Sequence, residues 1–355
     1  MLWFQTQRGT FVATGHIGTL FASNLGYDGW FLRWFCGMMS GASAIRVRVP
    51  ASSANLGPGF DALALALGLY LRCTLRRSPQ GMRITASGTD QSEIPCDSSN
   101  LIMRAFCRVA GEKSSDEVEL KIENEVPLGK GLGSSAAAIV AGLALGSEWQ
   151  RFSRGPGPAE TLSTKDQLVQ LATEIEGHPD NVAAAVRGGL VTSCQGEDGS
   201  VLSVNSPLPS NLQVVLIVPE CLLSTEQARA ALPDQYLRRD AVFNLQRVAL
   251  LLGALQAGRT ELLGEAMQDR LHQPYRAPLV PGFDDLLKFS LEPSKTPGLL
   301  GLALSGAGPS VVALCSERAR EIGETIGECF RRHAVEAEAR QLSVDHEGLV
   351  VERVP

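Results

Sequence analysis

The stretch that decides the fold is Pro127-Leu128-Gly129-Lys130-Gly131-Leu132-Gly133-Ser134-Ser135-Ala136. The residues that follow, 136–145, are mostly Ala, Ile, Val and Leu without proline, so a buried helix is predicted to begin near Ser134 or Ser135. The residues before it, 117–124, alternate between apolar and charged side chains, which is the pattern of a half-buried strand. A glycine-rich loop between a strand and a helix start brings unpaired N–H groups and the helix dipole together, and both favour an anion such as phosphate.

Three other interpretations apply to this loop on its own. A Walker A loop ends in Gly-Lys-Ser or Gly-Lys-Thr, whereas Lys130 precedes the last two glycines, so that motif fails. Gly131-x-Gly133-x-x-Ala136 satisfies the loose dinucleotide fingerprint, but that site also needs a next strand ending in an acidic residue, and a Gly/Pro-rich surface connection stands at 151–158 instead. The third interpretation is a tight turn with an ordinary serine cap and no ligand.

Hydrophobic periodicity predicts strands and helices in two halves of the chain. In the first half, strands are predicted at 45–49, ending at Pro50, and at 63–76, 82–87 and 190–194, with helices at 166–176 and 180–186. In the second half, a strand at 212–218 precedes helices at 225–231, 238–256 and 259–268, strands at 299–304 and 310–315, a helix at 317–332 and two more strands. The mixture predicts an α+β fold of two lobes with a boundary between 200 and 212.

The first 37 residues differ from the rest, because they hold three of the four tryptophans and few charges. They lack the basic start, the continuous apolar stretch and the cleavage site of a secretory signal. We expect either a misassigned start upstream of Met38 and Met39 or a poorly ordered tail. Residues 1–42 are therefore predicted to lie outside the fold, 43–205 to form the N-terminal lobe and 206–355 the C-terminal lobe.

Composition excludes several classes of function. The chain of 355 residues is 44% hydrophobic and can bury a sizeable core, and its net charge of −6 without a dense Lys/Arg run argues against nucleic acid as a partner. No apolar run reaches the roughly 18 residues of a membrane span. The eight cysteines lack CxxC pairs and matching histidine spacing, which is typical of reduced thiols in a cytoplasmic protein rather than of a zinc site or a disulfide framework.

A second polar stretch has the composition of a ligand site. It reads Pro-Ala-Ser-Ser-Ala-Asn-Leu-Gly-Pro-Gly-Phe-Asp at 50–61 and follows the predicted strand at 45–49. Its small residues let a ligand approach the backbone, while Asn55 and Asp61 offer an amide and a carboxylate. Taken alone, Asp61 could equally cap a turn.

A third stretch reads Glu-Ile-Glu-Gly-His-Pro-Asp-Asn at 174–181, between two predicted helices. Glu176 could bind Mg²⁺, which prefers carboxylate oxygen together with substrate phosphates. His178 and Asn181 could hydrogen-bond a polar substrate. The structural alternative is that Asp180 or Asn181 caps the second helix and that His178 lies on the surface.

In combination and in this order, the loops at 50–61, 127–136 and 305–310 resemble the three motifs of the GHMP kinase superfamily, which phosphorylates galactose, homoserine, mevalonate and phosphomevalonate. The resemblance runs from about Ile45 to the C-terminus. It implies the two-lobed GHMP kinase fold, with an N-terminal lobe like ribosomal protein S5 domain 2 and a ferredoxin-like C-terminal lobe.

Within that superfamily the sequence is most similar to the homoserine kinase family, at 49–61, 176–183 and 270–276. It departs from that family at Ala64, where Gly is usual, and at Ala185, where Pro is common. The resemblance implies ATP-dependent phosphorylation of the L-homoserine side-chain hydroxyl to O-phospho-L-homoserine, in threonine biosynthesis, by a cytoplasmic homodimer. Another GHMP-type kinase, an NAD(P)-dependent oxidoreductase and a non-catalytic metabolite-binding relative are the alternatives.

The same resemblance implies a role for each matching residue. All ten residues of Pro127–Ala136 wrap the ATP phosphates, Asn100 lies near the adenine, and Ser134 or Ser135 binds Mg²⁺ with Glu176. Asp61 receives the amino group of homoserine and Arg276 its carboxylate, with Arg270 as a competitor for that role. The acceptor pocket is completed by Asn55, His178, Asn181 and Arg229.

The resemblance also implies how the reaction proceeds. Asn181 is expected to lie against the acceptor hydroxyl, and Arg229 to stabilise the charge of the transferring group. Positioning and charge neutralisation supply most of the acceleration in phosphoryl transfer. We therefore predict that no strong general base is needed, and Asp180 is the residue on which that prediction can be tested.

Overall fold

A computed structural model describes residues 2–6, 9–13, 44–154, 162, 164–290 and 296–354. In the predicted extension 1–42 it describes two strands, β1 (Leu2–Thr6) and β2 (Gly9–Ala13), which pair antiparallel as a sheet of their own. The remainder of that extension lies outside the described residues.

The first lobe is built on a sheet whose order is β13-β3-β4-β6-β5, with β7 pairing with β4 and β8 with β7. Its strands are β3 (Ala44–Asn55), β4 (Gly59–Arg77), β5 (Arg83–Gly88), β6 (Val118–Asn124), β7 (Leu190–Gln195), β8 (Val201–Ser206) and β13 (Val350–Val354). The pair β5 and β6 is parallel, and the other pairs are antiparallel. The strands predicted at 63–76, 82–87, 117–124 and 190–194 are thus confirmed.

Four helices cover one face of this sheet: α1 (Leu101–Ala110), α2 (Ser134–Arg154), α3 (Lys165–Glu176) and α4 (Asp180–Arg187). Helix α2 begins at Ser134, directly after the glycine-rich loop, as predicted. It packs on α1 and on β3, and the shared core contains Phe106 and Trp149 in edge-to-face contact. The core therefore holds the start of α2, and with it the glycine-rich loop, at a fixed position over the sheet.

The second lobe is an antiparallel sheet of order β10-β11-β9-β12 with helices packed on it. Its strands are β9 (Gln213–Pro219), β10 (Leu299–Leu304), β11 (Val311–Cys315) and β12 (Ala337–Leu342). Its helices are α5 (Thr225–Ala230), α6 (Arg238–Ala257), α7 (Leu263–Ala266), α8 (Gln273–Arg276), α9 (Phe283–Ser290) and α10 (Ala319–Arg332). Short 3₁₀ turns stand at Gln91–Glu93, Glu112–Glu117, Thr260–Leu262 and Ala277–Leu279.

The two lobes share a core directly beneath the glycine-rich loop. Leu132, in the middle of that loop, is only 1% exposed and belongs to one apolar cluster with Leu65 of the first sheet and Leu216 of the second. Strand β13 also returns from the end of the chain to pair with β3. We propose that the lobes divide near 205–212, with this last strand completing the first sheet.

Two sequence predictions of elements need correction. Strand β3 does not end at Pro50 but continues to Asn55, because the register shifts between Pro50 and Ala51, and a proline without an N–H group is tolerated at such a bulge. The helix predicted at 259–268 is a 3₁₀ turn followed by the short α7, since the Asp269 carboxylate accepts the N–H groups of the next turn. Strand β8 and the helices α1, α8 and α9 were not predicted.

Helix α2 continues to Arg154, into the surface connection predicted at 151–158, whose residues 155–158 lie outside the described residues. Of the described cysteines, four are buried, whereas Cys96 and Cys194 are exposed. None of the helices in the described part of the chain is long and apolar enough to cross a membrane.

Candidate active site

The three loops singled out in the sequence meet between the lobes. The Ser52 N–H donates to the Leu132 carbonyl at 3.0 Å, which joins the end of β3 to the glycine-rich loop. The Ser305 hydroxyl donates to the Gly131 carbonyl at 2.7 Å, and the Gly306 N–H donates to the Ala54 carbonyl at 3.0 Å. The loop at 305–310 of the second lobe is therefore hydrogen-bonded to both loops of the first.

Close backbone contact explains two of the loop glycines. Gly131 and Gly133 have φ angles of +72° and +66°, a region that L side chains rarely adopt. A Cβ on Gly131 would lie 2.1 Å from the Ser305 carbonyl oxygen, and one on Gly133 would lie 2.2 Å from the Ser52 hydroxyl. Any side chain at these two positions would push the loops apart.

A cleft of about 460 Å³ opens where the loops meet. It brings together most of the residues predicted to act on the acceptor and on the phosphates, namely Asn55, Asp61, Gly129, Gly131, Leu132, Gly133, Ser134, Ser135, Glu176, His178, Asp180, Asn181, Arg229 and Arg276. Four residues of the same loop do not line it, namely Pro127, Leu128, Lys130 and Ala136.

A smaller cavity of about 250 Å³ adjoins this cleft through Leu101, Ser134 and Ser135, which line both. Its walls are largely apolar and include Leu128. Asn100 lines it too, but its side chain is buried and serves the protein itself, because it accepts the Ile102 and Met103 N–H groups and donates to the Pro95 carbonyl. Asn100 thus caps α1 at the wall of a cavity suited to a flat apolar group.

Lys130 is directed away from the cleft. Its ammonium group donates to the backbone carbonyls of Pro219 and Cys221, at 3.0 and 2.7 Å, in the second lobe. The side chain of Lys130 therefore fastens the loop to the segment leading into α5, and its charge is not directed at the space beside the loop glycines.

Asp61 and Arg229 face each other across the cleft as an ion pair. The two terminal guanidinium nitrogens of Arg229 donate to the Asp61 carboxylate, at 2.9 and 3.1 Å. Burial lowers the pKa of Arg229, but the hydrogen bond and charge of Asp61 outweigh it, so the net effect is a raised pKa. Both side chains remain partly exposed to the cleft, so the pair is accessible to a ligand.

Arg276 lies in the cleft and Arg270 does not. Arg276 is 2% exposed and donates to the carbonyls of Ala228 and Gly306, and burial and the charge of Arg229 lower its pKa to about 10, which leaves it a cation at neutral pH. Arg270 instead contacts Asp240 and stacks over Phe243 outside the cleft. Of the two candidates for the carboxylate of a substrate, only Arg276 is placed to meet one.

Buried His272 supports Arg276 from behind. Its Nε2 lies 2.6 Å from the Gly57 carbonyl and its Nδ1 lies 3.3 Å from an Arg276 nitrogen. Burial lowers the pKa of His272, so the ring is neutral, with Nε2–H donating to Gly57 and Nδ1 accepting from Arg276. Phe60 stacks on this ring and lies beside Arg276, which closes the pocket.

Glu176, at the end of α3, faces the start of α2. Its carboxylate accepts the Ser135 hydroxyl at 2.7 Å, while Ser134 lines the cleft beside it. Burial raises the pKa of Glu176, and the Ser135 hydrogen bond opposes that effect. A carboxylate and two hydroxyls next to the glycine-rich loop offer the hard oxygen ligands that Mg²⁺ prefers.

The predicted acceptor residues on α4 are held by their neighbours. Asp180 is buried, accepts the Asn181 N–H at 2.7 Å and lies 2.9 Å from Nδ1 of His178. The hydrogen bond to Asp180 raises the pKa of His178. Burial acts in the opposite direction but is the smaller effect, so the net pKa is raised. The side-chain amide oxygen of Asn181 accepts a hydrogen bond from the Ser52 hydroxyl at 2.8 Å. Among the described residues the side-chain amide nitrogen of Asn181 has no hydrogen-bond partner, so it is available to a ligand.

Asn55 has a structural part in the site. Its amide nitrogen donates to the Gly306 carbonyl at 2.8 Å and its oxygen accepts the Asp61 N–H at 3.0 Å. Asn55 therefore holds Asp61 and the loop of the second lobe in place, and its amide group is already engaged on both sides.

Sequence reasoning missed two residues of the site. Ser52 holds Asn181 and lies against Gly133, but a serine within a small-residue stretch carries no signal of this kind. Arg104 lines the cleft from α1, and its sequence neighbourhood is an ordinary amphipathic helix. Only the packing of α1 beside the glycine-rich loop brings it to the site.

Comparison with protein families identifies the class. The model of the GHMP kinases N terminal domain matches residues 100–189, and the model of the GHMP kinases C terminal matches residues 251–332. The two matches fall on the two lobes that enclose the cleft. The chain therefore has the GHMP kinase fold predicted from its three loops, and the dinucleotide interpretation is wrong, since the next described element after α2 is the helix α3.

Comparison with individual relatives narrows the class. A homoserine kinase of Solibacter usitatus is 42% identical over 318 residues, which cover 89% of this chain and 100% of that protein. A homoserine kinase of Desulfitobacterium hafniense is 41% identical over 86% of this chain and 99% of that protein. The crystal structure of a homoserine kinase from Cytophaga hutchinsonii matches with a TM-score of 0.74 at 32% identity, covering 87% of this chain and 98% of that one. The chain belongs to the homoserine kinase family.

Proposed function

We propose that this enzyme transfers the γ-phosphoryl group of ATP to the side-chain hydroxyl of L-homoserine, giving ADP and O-phospho-L-homoserine. One observation carries the proposal: a carboxylate and two guanidinium groups, those of Asp61, Arg229 and Arg276, lie in one cleft with the glycine-rich loop. An amino acid brings the complementary ammonium and carboxylate. A sugar or mevalonate has no ammonium group to match Asp61.

In the proposed complex with ATP, the nucleotide occupies the two adjoining cavities. The adenine enters the apolar cavity behind Asn100, and the phosphates extend past Ser134 and Ser135 into the larger cleft, beside the backbone of Gly129–Gly133. Backbone N–H groups at the start of α2 stabilise the phosphate charges, as is common at helix N-termini. Asn100 contributes by fixing the start of α1, because its own amide group is already paired.

Mg²⁺ fits the donors that the chain provides. Ser134, Ser135 and Glu176 offer oxygen ligands beside the phosphate loop, and the half-buried Glu176 carboxylate carries a charge that a cation would compensate. Mg²⁺ is usually held by one or two carboxylates plus substrate phosphates, so no larger cluster is needed. When bound, it supplies positive charge that neutralises the oxygens of the transferring phosphate.

The acceptor is oriented by residues of both lobes. Asp61 receives the ammonium group, Arg276 the carboxylate, and the free amide nitrogen of Asn181 donates to the hydroxyl. The hydroxyl oxygen forms a bond to the γ-phosphorus as the bond to the β-phosphate oxygen breaks, and its proton moves to an oxygen of the transferring group. Asp180 already accepts from Asn181 and pairs with His178, which supports a positioning role rather than that of a general base.

Arg229 has two tasks in this mechanism. It neutralises Asp61 while the cleft is empty, and after the ammonium group has replaced it, the freed guanidinium stabilises the phosphoryl oxygens. We further propose that the enzyme acts as a homodimer in the cytoplasm and supplies phosphohomoserine to threonine biosynthesis.

An acceptor panel tests the proposal. Purified protein with Mg-ATP is offered homoserine, threonine, mevalonate or galactose, and ADP release is followed with a coupled assay. The expected result is ADP release that depends on homoserine. Release that depends on mevalonate or galactose instead would move the chain to another branch of the GHMP kinases.

A further inference from the structure

Arg104 is a cation at the junction of the two cavities. It lies on α1, three residues after Leu101, so both side chains point to the same face of the helix. Leu101 lines both cavities, whereas Arg104 lines only the larger one, together with Gly129, Gly131 and Ser134. Arg104 therefore lies just past the point at which a nucleotide would leave the adenine cavity and enter the phosphate region.

The other cations near the cleft already have partners. Arg229 is paired with Asp61, Arg276 donates to two buried carbonyls, and Lys130 is fastened to the second lobe. The exposed Arg104 side chain, by contrast, makes no hydrogen bond or ion pair to any residue that the structure describes. Among the residues that the structure describes, its guanidinium is therefore a positive group on the nucleotide side of the cleft that is available to a ligand.

We propose that Arg104 binds the non-transferred α- and β-phosphates of ATP and of the product ADP. The proposal rests on the proposed function, since it assumes a nucleotide in the two cavities. A guanidinium group presents paired donors that match phosphate oxygens and keeps its charge at every working pH. Because these phosphates remain on ADP, Arg104 contributes equally to substrate and product and acts through nucleotide affinity rather than through kcat.

The test compares two arginines of one helix. Arg108 lies one turn after Arg104 on α1, is also exposed and does not line either cavity, so Arg108→Met is the matched control for Arg104→Met. Calorimetry measures the Kd of ADP, and competition measures the affinity of adenosine.

Losing a charge-assisted hydrogen bond to phosphate should raise the Kd of ADP about ten- to a hundred-fold in Arg104→Met. Adenosine affinity and the KM for homoserine should stay unchanged, Arg108→Met should resemble the wild type, and Arg104→Lys should recover part of the loss.

Three results would overturn the assignment of Arg104. The first is an ADP affinity that is unchanged in Arg104→Met. The second is an equal loss of ADP affinity in Arg108→Met, which would indicate a general charge effect. The third is an equal loss of adenosine affinity in Arg104→Met, which would indicate a distorted cavity. If the wild-type protein itself fails to bind ADP, the proposed function fails and the role of Arg104 fails with it. If the wild type binds ADP and phosphorylates homoserine while Arg104→Met does so equally well, only the role of Arg104 is refuted.

Discussion

Asp61 and Arg229 stand 168 positions apart in the sequence and form a two-pronged ion pair across the cleft, with oxygen–nitrogen distances of 2.9 and 3.1 Å. Their side chains are 35% and 39% exposed, so the pair is screened by solvent and contributes no more than about 1 kcal/mol to stability. Separating the two groups is therefore inexpensive. An incoming amino acid can replace Arg229 at Asp61 with its ammonium group at little energetic cost.

Replacing Asp61 with asparagine tests this exchange. Asp61→Asn keeps the size of the side chain but removes the charge that receives the ammonium group, so the KM for homoserine should rise about ten- to a hundred-fold. The KM for ATP should change much less. Asp240→Asn is the control, because Asp240 also pairs with an arginine but does so outside the cleft. Equal increases in the two KM values of Asp61→Asn would contradict the amine-binding role.

Two glycines of the phosphate loop form a second test. Gly133 and Gly129 share a left-handed backbone, with φ of +66° and +65°, so an alanine at either position costs about 1 kcal/mol of strain. Only at Gly133 would the new Cβ meet other atoms, 2.2 Å from the Ser52 hydroxyl and 3.0 Å from the Asn181 side chain, whereas nothing lies within 4 Å at Gly129. Denaturant unfolding should show Gly133→Ala to be less stable than Gly129→Ala by about 1–3 kcal/mol. Similar free energies of unfolding would mean that Ser52 and Asn181 are not held against the loop.

The base-free mechanism predicts a modest effect of Asp180→Asn. The substitution keeps an oxygen that can accept from Asn181 and weakens only the interaction with His178, so kcat should fall about tenfold. Removing a general base commonly costs more, about 10²- to 10⁴-fold. Steady-state kinetics with saturating homoserine distinguish the two. A fall in kcat of about 10³ or more would assign the proton transfer to Asp180.

His178 predicts a pH-dependent contribution to stability. Its hydrogen bond to Asp180 raises its pKa in the folded protein, so the contribution is fully present below the unfolded pKa and is lost as the pH rises through the folded pKa. His178→Gln should therefore destabilise the protein more at about pH 5.5 than at about pH 9. Unfolding curves at the two pH values measure the difference, which should vanish in the Asp180→Asn background. A loss that is greater at the higher pH would contradict the direction of the pKa shift.

Much of the fold could be predicted because its signals are local. The alternation at 117–124, the glycines at 129–133 and the alanine-rich start of α2 fix a strand, a loop and a helix within thirty or so residues. The end of β3 was predicted wrongly at Pro50, because a proline normally ends a strand. Only the pairing with β4 shows that the register shifts at Pro50 and that the strand continues. The short helix α7 depends on the Asp269 carboxylate, whose partners lie in the following turn.

The site was less predictable because its geometry depends on contacts distant in sequence. The order of the motifs predicted correctly that Asp61, Asn181 and Arg276 line one cleft. It could not predict the direction of the Lys130 side chain, because the partners of that side chain lie 89 and 91 positions away. It could not separate Arg270 from Arg276 either, because the choice depends on which face of a turn is buried against His272. Nothing in the sequence distinguished Ser52 from its neighbours within the stretch at 50–61, or Arg104 from the other residues of its helix.

The most direct measurement of the central claim is the structure of the product. Homoserine, Mg-ATP and the purified enzyme are incubated, and the new compound is examined by mass spectrometry and by phosphorus–proton correlation NMR. The account predicts one homoserine-dependent product in which the phosphorus couples to the CH₂ next to the side-chain oxygen, with one ADP formed for each molecule. ADP formed without homoserine, or phosphorus on the carboxylate rather than on the hydroxyl, would contradict it.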